Sequence, residues 1–377
     1  MWERSVRTVS ASLICALGLA ANATAGNEPG SIRWDGDSVD VTTIDARLGS
    51  DPAHAIELWQ GWVEEHGYRF EVPEDGRVVL VVDARQKSLR RQFKIVGNVG
   101  KWFDETLPPT FVVTKGVEDA SAPSATARPT AATLGQAELP RTPVVFSLAD
   151  DSDYASLLDH LVEIEPYLAD WASHARGATG GFTLARPLVA GWVENGAGRE
   201  EWNPDNELAH RLGHLFLLER YGQLPFWLQT GMSWQIEQEV AGDIYCFPYR
   251  SGFVGVLEHD GWKSFLKTRF KKRKKPDDYV RIEEIGAWKR GRFVEDGAAH
   301  AWGLARFLVD RHPEALPHVL SDLSQFRAEN EIETFEDGSW RLIPGYEVPL
   351  EEQEAIFVRH VGEEFRAELT EFFRKGR

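Results

Sequence analysis

Cysteine is nearly missing from this chain: Cys15 and Cys246 are the only two in 377 residues. That excludes a disulfide framework and any zinc site built from several thiolates. A basic excess is missing too, since 42 Lys and Arg face 59 Asp and Glu, for a net charge of −17. Phosphate backbones need a basic face, so general nucleic-acid binding is excluded as a function class. No apolar run reaches membrane-spanning length. The longest, residues 11–21 (ASLICALGLAA), has about a dozen residues, too few for ~30 Å of hydrocarbon. No repeat of solenoid length, no Gly-rich phosphate loop after a strand and no Gly-x-Ser-x-Gly elbow is present.

That short apolar run follows Arg4 and Arg7 and precedes Ala23-Thr24-Ala25. Residues 1–25 therefore read as a secretory signal peptide, and the expectation is export to the periplasm or the exterior, with no transmembrane span after cleavage. Cleavage leaves Cys246 alone, so packing holds the mature chain together. Hydrophobic residues at 42%, with 14 Trp and 20 Phe, suit a well-filled interior. The length allows one large or two modest domains.

Apolar residues at Ala55, Ile56, Leu58, Trp59 and Trp62 form a helical stripe, and residues 77–82 (RVVLVV) read as a buried strand. Residues 88–107 return to helical spacing. Residues 115–139, rich in Ala, Ser, Thr, Pro and Gly, read as a flexible linker or insertion. Beyond it, PVVFSLAD is a strand, with Asp151 or Ser152 as cap of a long helix through His174. GGFTLARPLVAGWVENG reads as a hairpin whose second strand spans 188–194. Asn203-Pro204 starts the next helix, which ends near Gly222, and Pro225 leads into another. The remainder is mostly helical, over 298–311, 314–326 and 351–375. The basic run 271–275 (KKRKK) reads as a solvated helix end, with contact to an anionic polymer as the alternative.

The chemistry concentrates in NELAHRLGHLFLLERYGQLPFWLQTGMSWQIEQE, residues 206–239. His210 and His214 stand one helical turn apart, the spacing with which two imidazoles hold one metal ion. Such a pair alone is a weak signal. Its setting, a strand, a capped helix and a Pro-Trp turn into a second helix, is stronger, and the stretch resembles the peptidase MA-like (gluzincin) domain of the thermolysin-type clan. The segment from Leu224 to Ser233 is similar to that family's LPxWLxEGxA element, and AAHAWGLARFL is like a later core helix. The resemblance spans about 142–375, and the strand and helix unit before the linker is expected to belong to the same fold. It implies an α+β gluzincin-like fold: a small mixed sheet with an edge strand, then the active-site helix and a mainly helical C-terminal part. The domain reading is then 1–25 signal peptide, 26–114 an N-terminal strand and helix region, 115–141 linker or insertion, and 142–377 the peptidase MA-like domain.

Carried over position by position, His210 and His214 match the two histidine ligands. Arg211 replaces the general base, Thr230 the third ligand, and Ala298 falls where relatives often carry tyrosine. An arginine accepts no proton near neutral pH, and water activation needs both a metal and a base. No catalytic residue is intact. The expectation is a secreted pseudopeptidase without cofactor, zinc being possible only if the histidine pair still binds it. Glu207 shares the face of His210 and His214, so it is either a substitute ligand or a charge that favours the helix N-terminus. A surface i,i+4 pair between Arg211 and Glu207 is also expected. Glu219 is expected to meet solvent, and Glu237 and Glu239 to lie too far along their helix to replace Thr230. The resemblance further implies a peptide or protein ligand along an edge strand, taken as residues 188–193, with Leu188, Val189, Gly191, Trp192 and Trp227 contributing. The rival readings are an active zinc peptidase with a non-standard ligand and a structural envelope or complex component.

Overall fold

The computed structural model describes residues 32–34, 37–39, 52–108, 141–194, 203–245, 261–286, 295–335, 340–343 and 345–376. The leader, the 115–139 segment and Cys246 lie outside them. The chain divides into two compact units, Met1–Gly49 with Phe111–Thr126, and Ser50–Thr110 with Ala127–Arg377. In the first, β1 (Ile32–Trp34) and β2 (Asp37–Val39) pair antiparallel.

The second unit is built on a five-stranded sheet. Helix α1 (Pro52–Glu65) buries Ala55, Trp59, Trp62 and Val63, most of the stripe visible in the sequence. Strands β3 (Tyr68–Glu71) and β4 (Val79–Asp83) precede α2 (Arg90–Thr106). Then come β5 (Val144–Leu148), α3 (Asp151–Ile164), α4 (Ala169–Ala178), β6 (Gly181–Ala185) and β7 (Leu188–Val193). The spatial order is β3-β4-β5-β7-β6. The three central strands run parallel, and an antiparallel strand borders each side. The sheet is thus mixed and the unit combines α and β structure. Strands β3 and β4 share the sheet with β5, so the strand and helix region before the linker lies in this unit.

Side chains alternate across the pleat, and both faces are covered. Val79, Val81, Val144, Phe146, Leu148, Val189 and Val193 pack with α1, α3 and α4. Leu80, Val82, Val145, Ala190 and Trp192 face the other side. There they meet α2, α5 (Pro204–Tyr221) and the core that continues into α6 (Phe226–Ala241).

Two expected long helices are broken. The one through His174 stops at Ile164, because Pro166 disfavours helical backbone at Glu165, and a 3-10 turn (Pro166–Leu168) redirects the chain into α4. Its cap is Asp150, whose carboxylate accepts from the Ser152 and Asp153 amides, rather than Asp151 or Ser152. The expected 351–375 helix divides at Gly362, where φ is 116°, into α11 (Leu350–Val361) and α12 (Phe365–Lys375). Between α6 and these lie α7 (Trp262–Phe270), α8 (Ile282–Gly286), α9 (Glu295–Arg311) and α10 (Leu316–Asn330). The short strands β8 (Ile332–Thr334) and β9 (Trp340–Leu342) form a separate ladder. Among the described residues no helix is long and apolar enough to cross a membrane.

In the basic run, Lys271, Lys272, Lys274 and Lys275 are exposed. Arg273 binds both carboxylate oxygens of Glu284 at 2.8 Å and lies over the Phe270 ring. This is the arrangement expected of a solvated helix end.

Candidate functional site

Helix α5 begins as its sequence requires. The Asn203 side chain accepts from the Asp205 amide, Pro204 occupies the first helical position, and Gly222 (φ 68°) ends the helix. Gly213 lies against Ser233 of α6. On the opposite side of α6, a Cβ at Gly231 would come within 2.4 Å of the Ala301 carbonyl oxygen of α9. Helix α6 is therefore held tightly between α5 and α9. Thr230, Ser233 and Glu237 follow each other at i, i+3 and i+7, one face of that helix. Ser233 and Glu237 show that this face looks toward α5.

The histidines meet an acid there that sequence reasoning set aside. Nδ1 of His210 lies 3.1 Å from Oε2 of Glu237, a residue with no exposed surface. The Asn206 side-chain amide (3.0 Å) and the Tyr245 backbone N–H (2.5 Å) both donate to Glu237 Oε1. A carboxylate that accepts from these groups assigns the His210 proton to Nδ1 and leaves the lone pair on Nε2. Burial, followed by the Arg211 charge, pushes His210 down to about 3, so the ring is neutral at physiological pH. His214 is adjacent, its ring centroid 4.8 Å from that of His210. A carboxylate behind Nδ1 is the support that metal-binding histidines usually have.

The remaining donors do not complete such a centre. Glu207 does pair with Arg211 as expected, but deep inside: Nε and Nη2 donate to Glu207 Oε1 at 2.8 and 2.6 Å, and the side chains are 0% and 6% exposed. The expected surface contact is thus a buried ion pair, because α5 is covered by the sheet. Glu207 Oε2 has no hydrogen-bond partner among the described residues, nor does the buried hydroxyl of Thr230. Among the described residues no three His, Cys, Asp or Glu side chains are placed to share a metal ion. Beside the two imidazoles stand an ion-paired carboxylate and an alcohol, where a three-ligand catalytic zinc site has an anionic donor. Ala298 is buried and offers no proton donor. Glu219 is exposed, and so is Glu239, whose Oε1 accepts from Gln235.

The strand assigned to ligand binding needs correction. Residues 188–193 form β7, hydrogen-bonded to β5 on one side and β6 on the other, so the strand has no open edge. All its residues are buried, Leu188, Val189, Gly191 and Trp192 included. The expected hairpin forms, but its first strand takes the outer place: among the described residues β6 pairs only with β7. Trp227 is also internal, donating from its indole to Gln353 Oε1 of α11 at 2.9 Å.

Strand β6 passes directly over the ion pair. A Cβ at Gly181 would stand 2.8 Å from Arg211 Nη2 and 3.0 Å from Glu207 Oε1, so only glycine permits this approach. The ladder phase follows from one bond, Val193 N–H to the Gly180 carbonyl. Pairs 180–193, 182–191 and 184–189 are then the hydrogen-bonded ones, and the backbone groups of Gly181, Thr183 and Ala185 point outward.

In the sequence Glu237 is weighed only as a replacement for Thr230; its place behind His210, 27 residues away, follows from helix packing, and its shared face with Thr230 is the one sign of it in the sequence. Comparison of the chain with protein-family models and with curated protein sequences gives no match.

Proposed function

We propose that this chain is an exported, metallopeptidase-like protein of gluzincin type whose catalytic centre has become a buried structural network, and whose remaining activity is to bind an extended peptide along β6. The observation that carries the reading is the Arg211–Glu207 pair. A guanidinium occupies the general-base position, and it neutralises the carboxylate best placed to join the histidines. The guanidinium accepts no proton near neutral pH, and two of its N–H groups hold one oxygen of Glu207. The edge strand that lies on it still offers outward backbone groups, the requirement for adding a strand.

Two measurements test this. The purified chain should carry far less than one equivalent of zinc after dialysis against micromolar zinc, and should release no fragments from casein. Stoichiometric zinc that disappears in His210→Ala, together with casein turnover, would establish the active-peptidase reading instead. For the edge strand, Thr183→Pro removes an outward N–H while leaving the bonds to β7 in place, and Thr183→Val, which loses only the hydroxyl that accepts from Arg211 at 3.5 Å, controls for that contact. We expect the parent and the valine control to retain extended peptides from a casein digest, and the proline variant to lose at least tenfold in retention with its unfolding midpoint little changed. Equal retention by parent and proline variant would remove β6 as the binding strand.

The pairing of His210 with Glu237 favours a second reading, residual metal affinity through Nε2 of His210 and His214. Two neutral ligands give weak binding, and a zinc titration into the millimolar range would show it as occupancy of the parent that His210→Ala loses.

A further inference from the structure

A dense basic stretch lies outside both the histidine helix and β6, on α7 and the turn after it. Residues 263–275 carry eight Lys and Arg and no acid, in a chain of net charge −17; Asp277 and Asp278 then close the stretch. The fold sorts this charge by residue type. Both arginines are engaged inside the molecule, Arg269 with Asp296 at 3.1 Å and Arg273 with Glu284 at 2.8 Å. Lys263, Lys267, Lys271, Lys272, Lys274 and Lys275 are all exposed and make no ion pair among the described residues.

Local structure gathers these lysines. Helix α7 buries Trp262, Leu266 and Phe270, at i, i+4 and i+8, in the core. Lys263, Lys267 and Lys271 each follow one of them by one residue and form a parallel stripe that stays in water, Lys271 keeping helical backbone at φ −50°, ψ −36°. Lys272, Lys274 and Lys275 continue the row past the helix end. Lys274 also lines a cleft of about 830 Å³ with residues of α9 and α12. There Arg311 is a further exposed cation without an ion pair among the described residues. Of the acids in that cleft, Glu371 pairs with Arg374 and Lys375 and Glu368 with His312, which leaves Glu364.

The chemistry of the face selects its partner. Arginine grips phosphate or carboxylate with a fixed two-pronged geometry, and the two in this stretch already hold Glu284 and Asp296. The free charge is mostly lysine, a point charge on a flexible stem, which suits a surface of mobile anions better than one shaped ligand. The apolar side of α7 is inside the core, so the helix has no apolar face left to insert into hydrocarbon. We infer that this face docks the chain, by charge alone, on a membrane surface rich in anionic phospholipid. Clusters of this size are attracted to such surfaces, and the acidic remainder of the chain turns this side toward them.

Sedimentation of the whole chain with vesicles tests this. Phosphatidylcholine vesicles with about one quarter phosphatidylglycerol should carry it down in low salt, and about 0.5 M NaCl should release it. Vesicles of phosphatidylcholine alone should leave it in solution. At about fivefold per lysine, Lys271→Gln, Lys272→Gln and Lys274→Gln together should weaken binding about a hundredfold. A matched variant that removes three other exposed cations, Lys87→Gln, Arg90→Gln and Lys94→Gln, should bind like the parent. All three proteins should unfold at the same midpoint, as changes of exposed side chains allow. No binding to the anionic vesicles in low salt, or equal binding by the two variants, would overturn the inference. So would tighter binding to alginate, a linear polyanion, at the same concentration of negative charge, which would assign the face to a polymer.

Discussion

Replacing Glu207 by alanine should destabilise the protein by about 3–5 kcal/mol, among the largest effects of any single change in this fold. The variant strands the Arg211 guanidinium, 5% exposed, without the carboxylate that takes two of its N–H groups. Arg211→Ala should cost a comparable amount, because Glu207 is wholly buried and its second oxygen already lacks a partner among the described residues. Removing both charges is a different experiment. Glu207→Leu combined with Arg211→Met replaces the pair by apolar groups of similar volume, and should return most of the lost stability. Urea unfolding of the parent, the two alanine variants and the double alanine variant gives the coupling, and the Leu/Met protein is compared with them. A Glu207→Ala cost below about 1 kcal/mol would show that the pair is solvated after all.

The second large effect concerns acid. His300 on α9 is 2% exposed, and both its ring nitrogens lack partners among the described residues. It sits among Phe265, Phe270 and Phe373. Burial, then the charge of Arg269 and more weakly that of Arg273, pushes it down to about 4, against the opposing pull of Glu284 and Asp296. The sign follows from which state binds the proton. Below 6.5 the unfolded chain protonates this histidine while the native state does not, until the pH reaches about 4. Stability is therefore full above 6.5, is lost progressively between 6.5 and 4, and changes no further from this group below that. At about 1.4 kcal/mol per unit, the loss is about 3 kcal/mol. His210 acts in the same direction, its lowered value of about 3 extending the loss to lower pH. His300→Phe should flatten the pH dependence of the unfolding free energy between 6.5 and 4 while leaving the fold intact. An unchanged slope in that variant would refute the assignment.

Both effects come from positions that look ordinary in the chain. Arg211 and Glu207 stand at i,i+4, where a helix-surface pair is the natural reading, worth a few tenths of a kcal/mol. Their burial, and hence an effect about ten times larger, follows from β6 lying over α5 with glycine at 181. Likewise His210 and Glu237 are 27 residues apart, and no local periodicity relates them. They meet because Gly213 and Gly231 let α5, α6 and α9 pack closely.

The sequence by itself determined what short-range physics controls. Pro204 and Asn203 start α5, Gly222 ends it, the 77–82 run is a strand, and the 181–194 hairpin is where turn residues and alternation place it. Only the tertiary structure decided which hairpin strand is the edge, which carboxylate serves His210, and in what order the strands on either side of residues 115–139 join one sheet. Those outcomes depend on strand order and helix crossing, which join residues far apart in sequence through packing. β7 (LVAGWV) is apolar throughout, the pattern of a strand covered on both faces, but β6 (GFTLA) has only one polar residue, and strand order alone gives just one of them a second neighbour among the described residues.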